Sequence, residues 1–284
     1  MDPNTVEKRF LKVNRAFGII TGVWPYQSAR SKLMGRIMTV TVISTSILTQ
    51  TAFLISFPSL DGAIMSMPYY ILVLGSLVKM GNYFLDEMKL TSLINNIFDD
   101  WAAIKSKEEY DIMVTYSQRG LYITISYFLH VLATGSLMIS WPFVSTILDL
   151  VKPLNESRGH MLIYPAYYWL DDEKYYVLIL GHMIIILFML GCIYCACDTN
   201  YVYAVQHACG LLAIAKHRFT TVNKNLPDSY QKNNSRLLEK VRYENVCNSI
   251  KAHQHAMKLV LLFMNCQICH LTRIVPFIAN PEGV

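Results

Sequence analysis

Charged residues are scarce in this chain of 284 residues, where they make up 16% of the sequence and hydrophobic residues 53%. Typical soluble domains carry roughly 25% charged and 45–50% apolar residues. The mean hydropathy is +0.31, a value hard to reconcile with a globular surface that must be covered with polar side chains. The composition therefore indicates a membrane protein and excludes the disordered, collagen-like and coiled-coil classes.

Cysteine is missing from the first two thirds of the chain, since all seven cysteines occur from Cys192 onward. No early segment can therefore supply a partner for an extracellular disulfide framework. Cys192, Cys195 and Cys197 are interpreted as small buried hydrophobic residues rather than metal ligands, because they lie on an apolar segment with no histidine in register. The run from Cys266 to His270 has the letter pattern of c-type haem attachment and is interpreted as a coincidence. We predict no metal and no cofactor.

Signatures of catalysis are also absent from the sequence. It contains no glycine-rich phosphate loop, no Gly-x-Ser-x-Gly elbow and no His-Glu-x-x-His pattern, so an enzyme is not supported. No basic block with interleaved aromatic residues indicates a nucleic-acid partner. The first 36 residues lack an uninterrupted apolar core, so no cleavable leader is expected.

Long uncharged segments are present instead. Residues 37–57 carry no charge and are long enough, at ~1.5 Å per residue, to cross a hydrocarbon core of ~30 Å. The side chain of Lys79 in the second segment is expected to snorkel toward the interface, and Pro142 should kink or end the third. We predict an all-α polytopic transmembrane helical bundle. Its spans are TM1 at 37–57, TM2 at 64–85, TM3 at 120–148, TM4 at 175–197 and a partial TM5 at 259–279.

The basic residues predict the orientation of these spans. Twenty-one of the 25 Lys and Arg residues fall in segments 1–36, 86–119 and beyond the fourth span, against three in 149–174. The positive-inside rule then makes the N-terminus cytoplasmic and 149–174 an extracellular loop of a multi-pass plasma-membrane protein. The sequon at Asn155 should be glycosylated, whereas the one at Asn233 should remain unmodified on the inside.

Two polar segments are predicted to form cytoplasmic helices, at 86–119 and 198–258. In the first of them, six apolar residues recur at helical spacing and predict an amphipathic helix. These residues are Leu90, Leu93, Ile94, Ile97, Phe98 and Trp101. The second mixes apolar periodicity with basic residues and is interrupted by a loop rich in Asn, Pro, Asp and Ser between Asn223 and Asn234.

Aromatic and sulfur-bearing side chains gather at the predicted outer end of spans two to four. Such residues suit a dry pocket in which dispersion contacts hold a small apolar ligand. The alternative interpretation is ordinary packing together with an interfacial aromatic belt. The predicted ligand-binding residues, which share a similar depth, are Tyr70, Met138, Trp141, Ile179 and Met183.

Several motifs along the whole chain resemble the insect odorant receptor family, in the same order. They begin with the opening around Gly22-Val23-Trp24-Pro25 and continue through the run from Val205 to Gly210. The full set is Asn14, Phe17, Gly22-Val23-Trp24-Pro25, Tyr164-Pro165, Asp172-Glu173-Lys174-Tyr175-Tyr176, His182, Asp198, Val205-Gln206-His207-Ala208-Cys209-Gly210 and Ala252-His253-Gln254-His255-Ala256.

This resemblance implies a seven-helix, lipid-embedded subunit of a ligand-gated, non-selective cation channel. Family members form a heterotetramer with a shared odorant receptor co-receptor and bind volatile apolar small molecules in the outer half of each bundle. The family's pore comes from its last helices, so this chain is expected to be C-terminally incomplete. A gustatory receptor of the same superfamily and a small-molecule membrane transporter remain as alternatives, although the spans show neither the ionisable pairs nor the broken helices that a transporter needs.

Overall fold

The structure, a computed structural model, describes residues 2–104, 106–152 and 159–221, together with 240, 243–244, 246–254, 256–258 and 261. Within these ranges the chain is mostly helical and contains no strand, which confirms the predicted all-α class. Eight helices follow in order, α1 Pro3–Phe10, α2 Lys12–Thr21, α3 Ala29–Ser56, α4 Leu60–Leu85, α5 Glu87–Ala103, α6 Lys107–Ser140, α7 Phe143–Val151 and α8 Tyr176–Thr221. Residues 246–254 are helical as well.

Four of these helices, α3, α4, α6 and α8, are long and apolar enough to cross a membrane. The shortest has 26 residues and the longest 46, against about 20 needed for a bilayer core. Each of the first four predicted spans overlaps one of them, and the limits of the bilayer along the helices stay a prediction. The predicted third span, 120–148, is divided, because α6 ends at Ser140 and α7 begins at Phe143. Pro142 lies between them and has no N–H to continue the helical hydrogen bonds.

The chain forms two compact units, and the first comprises Met1–Val13, Asp86–Ile125 and Thr199–Val284. Its core forms where α1 packs on α5: the Phe10 and Trp101 rings stack with centroids 5.6 Å apart. The six apolar residues of α5 that share a helical face are all buried. Helix α8 contacts two further helices of this unit: Nε2 of His207 lies 3.0 Å from a carboxylate oxygen of Asp100 on α5, and Arg218 forms a two-pronged ion pair with Glu109 of α6 at 2.6 and 2.8 Å.

The second unit comprises Asn14–Leu85 and Ser126–Asp198, and it opens with a tight turn between α2 and α3. Gly22 adopts a φ of 76° there, a left-handed conformation that side chains disfavour. A Cβ on Gly22 would lie 2.6 Å from the Lys32 carbonyl oxygen, so the backbone of α3 approaches too closely for any other residue. Trp24, two residues later, is 2% exposed. The Gly-Val-Trp-Pro motif thus builds this turn.

An ionic junction lies inside the second unit, where three of the long helices meet. Lys79 of α4 forms an ion pair with Asp198 of α8, and the Tyr127 hydroxyl of α6 donates to the same carboxylate at 2.7 Å. The Lys79 ammonium also lies 5.2 Å from the centre of the Tyr194 ring. Lys79, whose side chain was predicted to snorkel toward the interface, therefore has a partner of opposite charge. Asp198 can reach it because α8 continues without a break past the end of the predicted fourth span at residue 197.

Some predictions fall outside the described residues. These are the sequons at Asn155 and Asn233, the run from Cys266 to His270 and the partial fifth span at 259–279, of which only residue 261 is described. Cys192, Cys195 and Cys197 are buried free thiols.

Candidate functional site

Three of the five predicted ligand-binding residues come together in the second unit. Ile179 and Met183 of α8 are 1% and 0% exposed, and Met138 of α6 packs against the buried cluster that contains them. All three belong to a larger group, which we name the aromatic–methionine cluster. Its buried members are Ile163, Tyr164, Ala166, Ile179, Leu180, Met183 and Leu187, and its partly buried members are Tyr69, Met138, Ile139, Leu162, Tyr168, Tyr176 and Ile184.

The other two predicted residues lie outside this cluster. The half-buried Tyr70 of α4 has its hydroxyl 3.1 Å from the Thr51 hydroxyl of α3, so it links two helices. Trp141 lies in the turn between α6 and α7 and is 53% exposed. The neighbouring Tyr69 joins the cluster instead, with its ring 5.2 Å from that of Tyr164. Adjacent residues on a helix point about 100° apart, so depth along α4 was predictable but the face was not.

Residues 159–175 supply the part of the cluster that sequence reasoning missed. This segment has no regular helix, yet it is docked onto the long helices: the Tyr167 N–H donates to the Thr49 carbonyl of α3 at 3.0 Å. The Tyr176 hydroxyl donates to the Met161 carbonyl at 3.1 Å. Ile163 and Tyr164 are each 3% exposed as a result. The available signal was the unusual density of aromatic residues in a segment predicted to be an extracellular loop.

A polar contact lies beside the apolar cluster, between Tyr168 and His182. The Tyr168 hydroxyl is 2.9 Å from Nδ1 of His182, and the two rings meet edge to face. Burial raises the pKa of Tyr168 to about 12, and burial likewise raises the pKa of Tyr164 above its usual range. Both tyrosines therefore keep their protons at physiological pH and can donate hydrogen bonds.

An apolar groove of about 350 Å³ adjoins the cluster along α6 and α8. It shares Ile139, Ile184 and Leu187 with the cluster, and the small residues Gly135 and Gly191 help to open it. The volume is in the range of small-molecule pockets. Its remaining lining is Phe17, Phe128, Val131, Leu132, Ser136, Ile185, Phe188, Cys192 and Cys195.

This lining offers dispersion contacts and a surface that excludes water, and almost no charge, because it is dominated by aliphatic and aromatic carbon. Methionine side chains adapt to ligands of different shape, since they have several rotatable bonds and a polarizable sulfur. The arrangement is suited to reversible binding of small apolar molecules.

Comparison with known proteins identifies the family of this chain. The sequence model of the family described as 7tm Odorant receptor matches residues 59–271. The fold is similar to the insect olfactory receptor OR5 from Machilis hrabei, with a TM-score of 0.60 at 13% sequence identity. That likeness covers 92% of this chain and 66% of the receptor, so the chain spans just under two thirds of its length. No curated protein sequence gives a significant match. Because the family match extends over most of the chain, this protein belongs to the 7tm odorant receptor family.

Proposed function

We propose that this chain is the odorant-binding part of a receptor and takes volatile apolar small molecules at the aromatic–methionine cluster and the adjoining groove. One observation carries the proposal. Met138, Ile179 and Met183 from two long helices meet tyrosines from α4 and from segment 159–175 beside a groove of about 350 Å³. The cluster thus combines adaptable apolar side chains with space for a ligand.

The expected affinity follows from the apolar character of the site. A volatile molecule that buries roughly 250 Å² of apolar surface gains about 6 kcal/mol at ~25 cal/mol per Å². Part of this gain is lost to the reduced translational and rotational freedom of the bound molecule. The remaining free energy is below about 6 kcal/mol and corresponds to dissociation constants from tens of micromolar to roughly millimolar or weaker. Such weak, rapidly reversible binding suits the detection of a fluctuating airborne signal.

The proposal includes the assembled receptor. We propose that the complete family member lies in the plasma membrane with a cytoplasmic N-terminus. There it forms a heterotetramer with the odorant receptor co-receptor and opens a non-selective cation channel when an odorant binds. Membership of the odorant receptor family supports this assignment.

Ligand binding can be tested on the chain itself, without relying on conduction. The chain is reconstituted in lipid nanodiscs, and its thermal unfolding is followed with and without a panel of volatile esters, alcohols and terpenes. A ligand that binds the folded state raises the unfolding temperature in proportion to ln(1 + [L]/Kd). We expect some volatiles to raise it and a charged, involatile analogue of each to leave it unchanged.

Two alanine variants locate the site. Met138→Ala removes a side chain that packs against the cluster, whereas Leu178→Ala removes one on α8 that is 66% exposed. We expect Met138→Ala to change the ligand-induced shift by amounts that depend on ligand shape, and Leu178→Ala to preserve every shift. Equal effects of the two variants on all ligands, or no volatile that stabilises the chain, would refute the proposed site.

A further inference from the structure

The apolar groove of the second unit is long and narrow. Its lining extends over residues 128–139 of α6 and 184–195 of α8, so at ~1.5 Å per residue the groove is about 16 Å long. The two stretches lie side by side, because a Cβ on Gly191 of α8 would be 3.3 Å from a methyl group of Val131 on α6. The groove therefore follows the helices along their length rather than crossing them.

The two ends of the groove differ in chemistry. At one end, Ile139 and Ile184 pack against the aromatic–methionine cluster, so the groove continues into the proposed binding site. At the other end lies Phe128, and its neighbour Tyr127 donates a hydrogen bond to Asp198 of the ionic junction at 2.7 Å. Covering a charged group with methylene groups costs free energy because it removes water from the charge. The ionic junction therefore limits the length of a hydrocarbon chain that starts at the cluster.

The width of the groove matches a single hydrocarbon chain. Its volume of about 350 Å³, spread over a length of about 16 Å, gives a mean cross-section of about 22 Å². Packed alkyl chains, whose carbon atoms touch at about 4 Å, occupy about 20 Å² each. An α-helix is about 10–12 Å across, and a bicyclic ring system is also broader than a chain, so neither fits along the groove.

We propose that the groove holds the unbranched hydrocarbon chain of a volatile ligand of about 12 carbon atoms, one end of which lies at the aromatic–methionine cluster. A fully staggered chain advances about 1.3 Å per carbon, so a chain of this size extends about 14 Å and ends before the ionic junction. This inference rests on the proposed function and adds the ligand class to it, namely linear aliphatic compounds rather than compact or branched terpenoids.

A series of linear ketones tests the length of the chain. Hexan-2-one, nonan-2-one, dodecan-2-one and pentadecan-2-one are titrated into the nanodisc-reconstituted chain, and dissociation constants are obtained from thermal stabilisation against the free aqueous concentration. We expect the affinity to rise about fourfold per methylene group up to dodecan-2-one and to fall for pentadecan-2-one. A continuous rise through pentadecan-2-one would overturn the length limit. If no ketone stabilises the chain, the proposed function fails as well.

The width is tested with two isomers that have the same number of carbon atoms. Tridecan-2-one is unbranched, whereas 6,10-dimethylundecan-2-one carries two methyl branches that widen the chain. We expect the branched isomer to bind about tenfold more weakly, as overfilling a close-packed apolar site does. Equal affinity of the two isomers would overturn the proposed ligand class and leave the apolar site at the cluster standing.

A leucine placed halfway along the groove assigns these preferences to it. Gly135 lines the groove four residues before Ile139, so Gly135→Leu leaves about 6 Å free next to the cluster. Gly81→Leu on α4 is the matched control, because a Cβ at either glycine would meet nothing within 4 Å and Gly81 does not line the groove. We expect the optimum to shift toward hexan-2-one in Gly135→Leu and to stay at dodecan-2-one in the control. An unchanged length profile in Gly135→Leu would overturn the proposal.

A change of lipid separates a free ligand from an acyl chain of the bilayer, which has the same chemistry. The ketone series is repeated in nanodiscs of diphytanoyl phosphatidylcholine, whose methyl-branched chains are too broad for the groove. We expect the same length profile as in straight-chain phosphatidylcholine. Stabilisation by dodecan-2-one that occurs only in the branched lipid would show that a straight lipid chain occupies the groove, and the proposal of a volatile ligand there would fail.

Discussion

Neutralising Asp198 tests how much the ionic junction contributes to the stability of the second unit. The Asp198→Asn variant leaves the Lys79 ammonium without its counter-charge, and it weakens the hydrogen bond that the Tyr127 hydroxyl donates to Oδ2. The change is nearly isosteric, so it alters charge more than packing. Because Lys79 lies within a helix long and apolar enough to cross a membrane, its unpaired charge is poorly solvated.

The size of the effect follows from the exposure of the pair. Removing one partner of a fully buried ion pair costs about 3–5 kcal/mol, whereas an exposed pair contributes about 0–1 kcal/mol. The Lys79 and Asp198 side chains are 30% and 28% exposed, which places the loss between these limits, at about 1–3 kcal/mol. Removing both charges in Lys79→Met/Asp198→Asn leaves no unpaired charge, so the double variant should lose less stability than the two single variants lose together.

Thermal unfolding of the purified chain in nanodiscs measures these differences. We expect both single variants to unfold several degrees lower than the parent chain and the double variant to recover part of that loss. Lys89→Met is the matched control: its partner Asp86 is three residues away on the chain, and the Lys89 side chain is 39% exposed. It should change the unfolding temperature little. A double variant that loses as much stability as the two single variants combined would show that the charges are not coupled, and the reasoning would fail.

Three further predictions concern the turn, the first unit and the topology. Gly22→Ala should lower the free energy of unfolding by about 2 kcal/mol or more, because it combines a disfavoured φ with a clash against α3. The control Gly81→Ala, where a Cβ meets nothing within 4 Å, should leave the unfolding temperature unchanged or raise it. Equal effects of the two variants would refute this account. Trp101→Ala should cost about 3–5 kcal/mol in thermal unfolding, since the ring is 0% exposed and stacked on Phe10, and a loss below about 1 kcal/mol would contradict the core assignment. Glycosidase treatment of the chain expressed in cells should give one mobility shift that Asn155→Gln abolishes; a shift that survives Asn155→Gln and disappears in Asn233→Gln would invert the predicted orientation.

The sequence predicted features that depend on local periodicity. The apolar stretches gave the four long helices, and the spacing from Leu90 to Trp101 gave the buried face of α5. The sequence also grouped Met138, Ile179 and Met183 by their predicted depth, and in the structure these three side chains belong to one cluster; their role in ligand binding stays a prediction. Both kinds of inference need only the regular rise and twist of an α-helix.

Features that depend on contacts between distant segments were not predictable. Lys79 and Asp198 are 119 residues apart, and neither residue alone indicates its partner. The choice of Tyr69 rather than Tyr70 for the cluster depends on the rotation of α4 about its axis. The burial of Tyr164 depends on segment 159–175 folding back onto α3, which no pattern within an irregular segment encodes.

The attachment of segment 159–175 has a kinetic consequence. Neither this segment nor α3 contains a cysteine, so no covalent bond joins them, and the backbone contact between them is the hydrogen bond from the Tyr167 N–H to the Thr49 carbonyl. Non-covalent attachments of this kind open locally without unfolding the rest of the protein. When reclosing is slower than the exchange chemistry, the exchange of the Tyr167 amide hydrogen with deuterated solvent proceeds at the rate at which this hydrogen bond opens. When reclosing is faster, the exchange reports the free energy of that local opening.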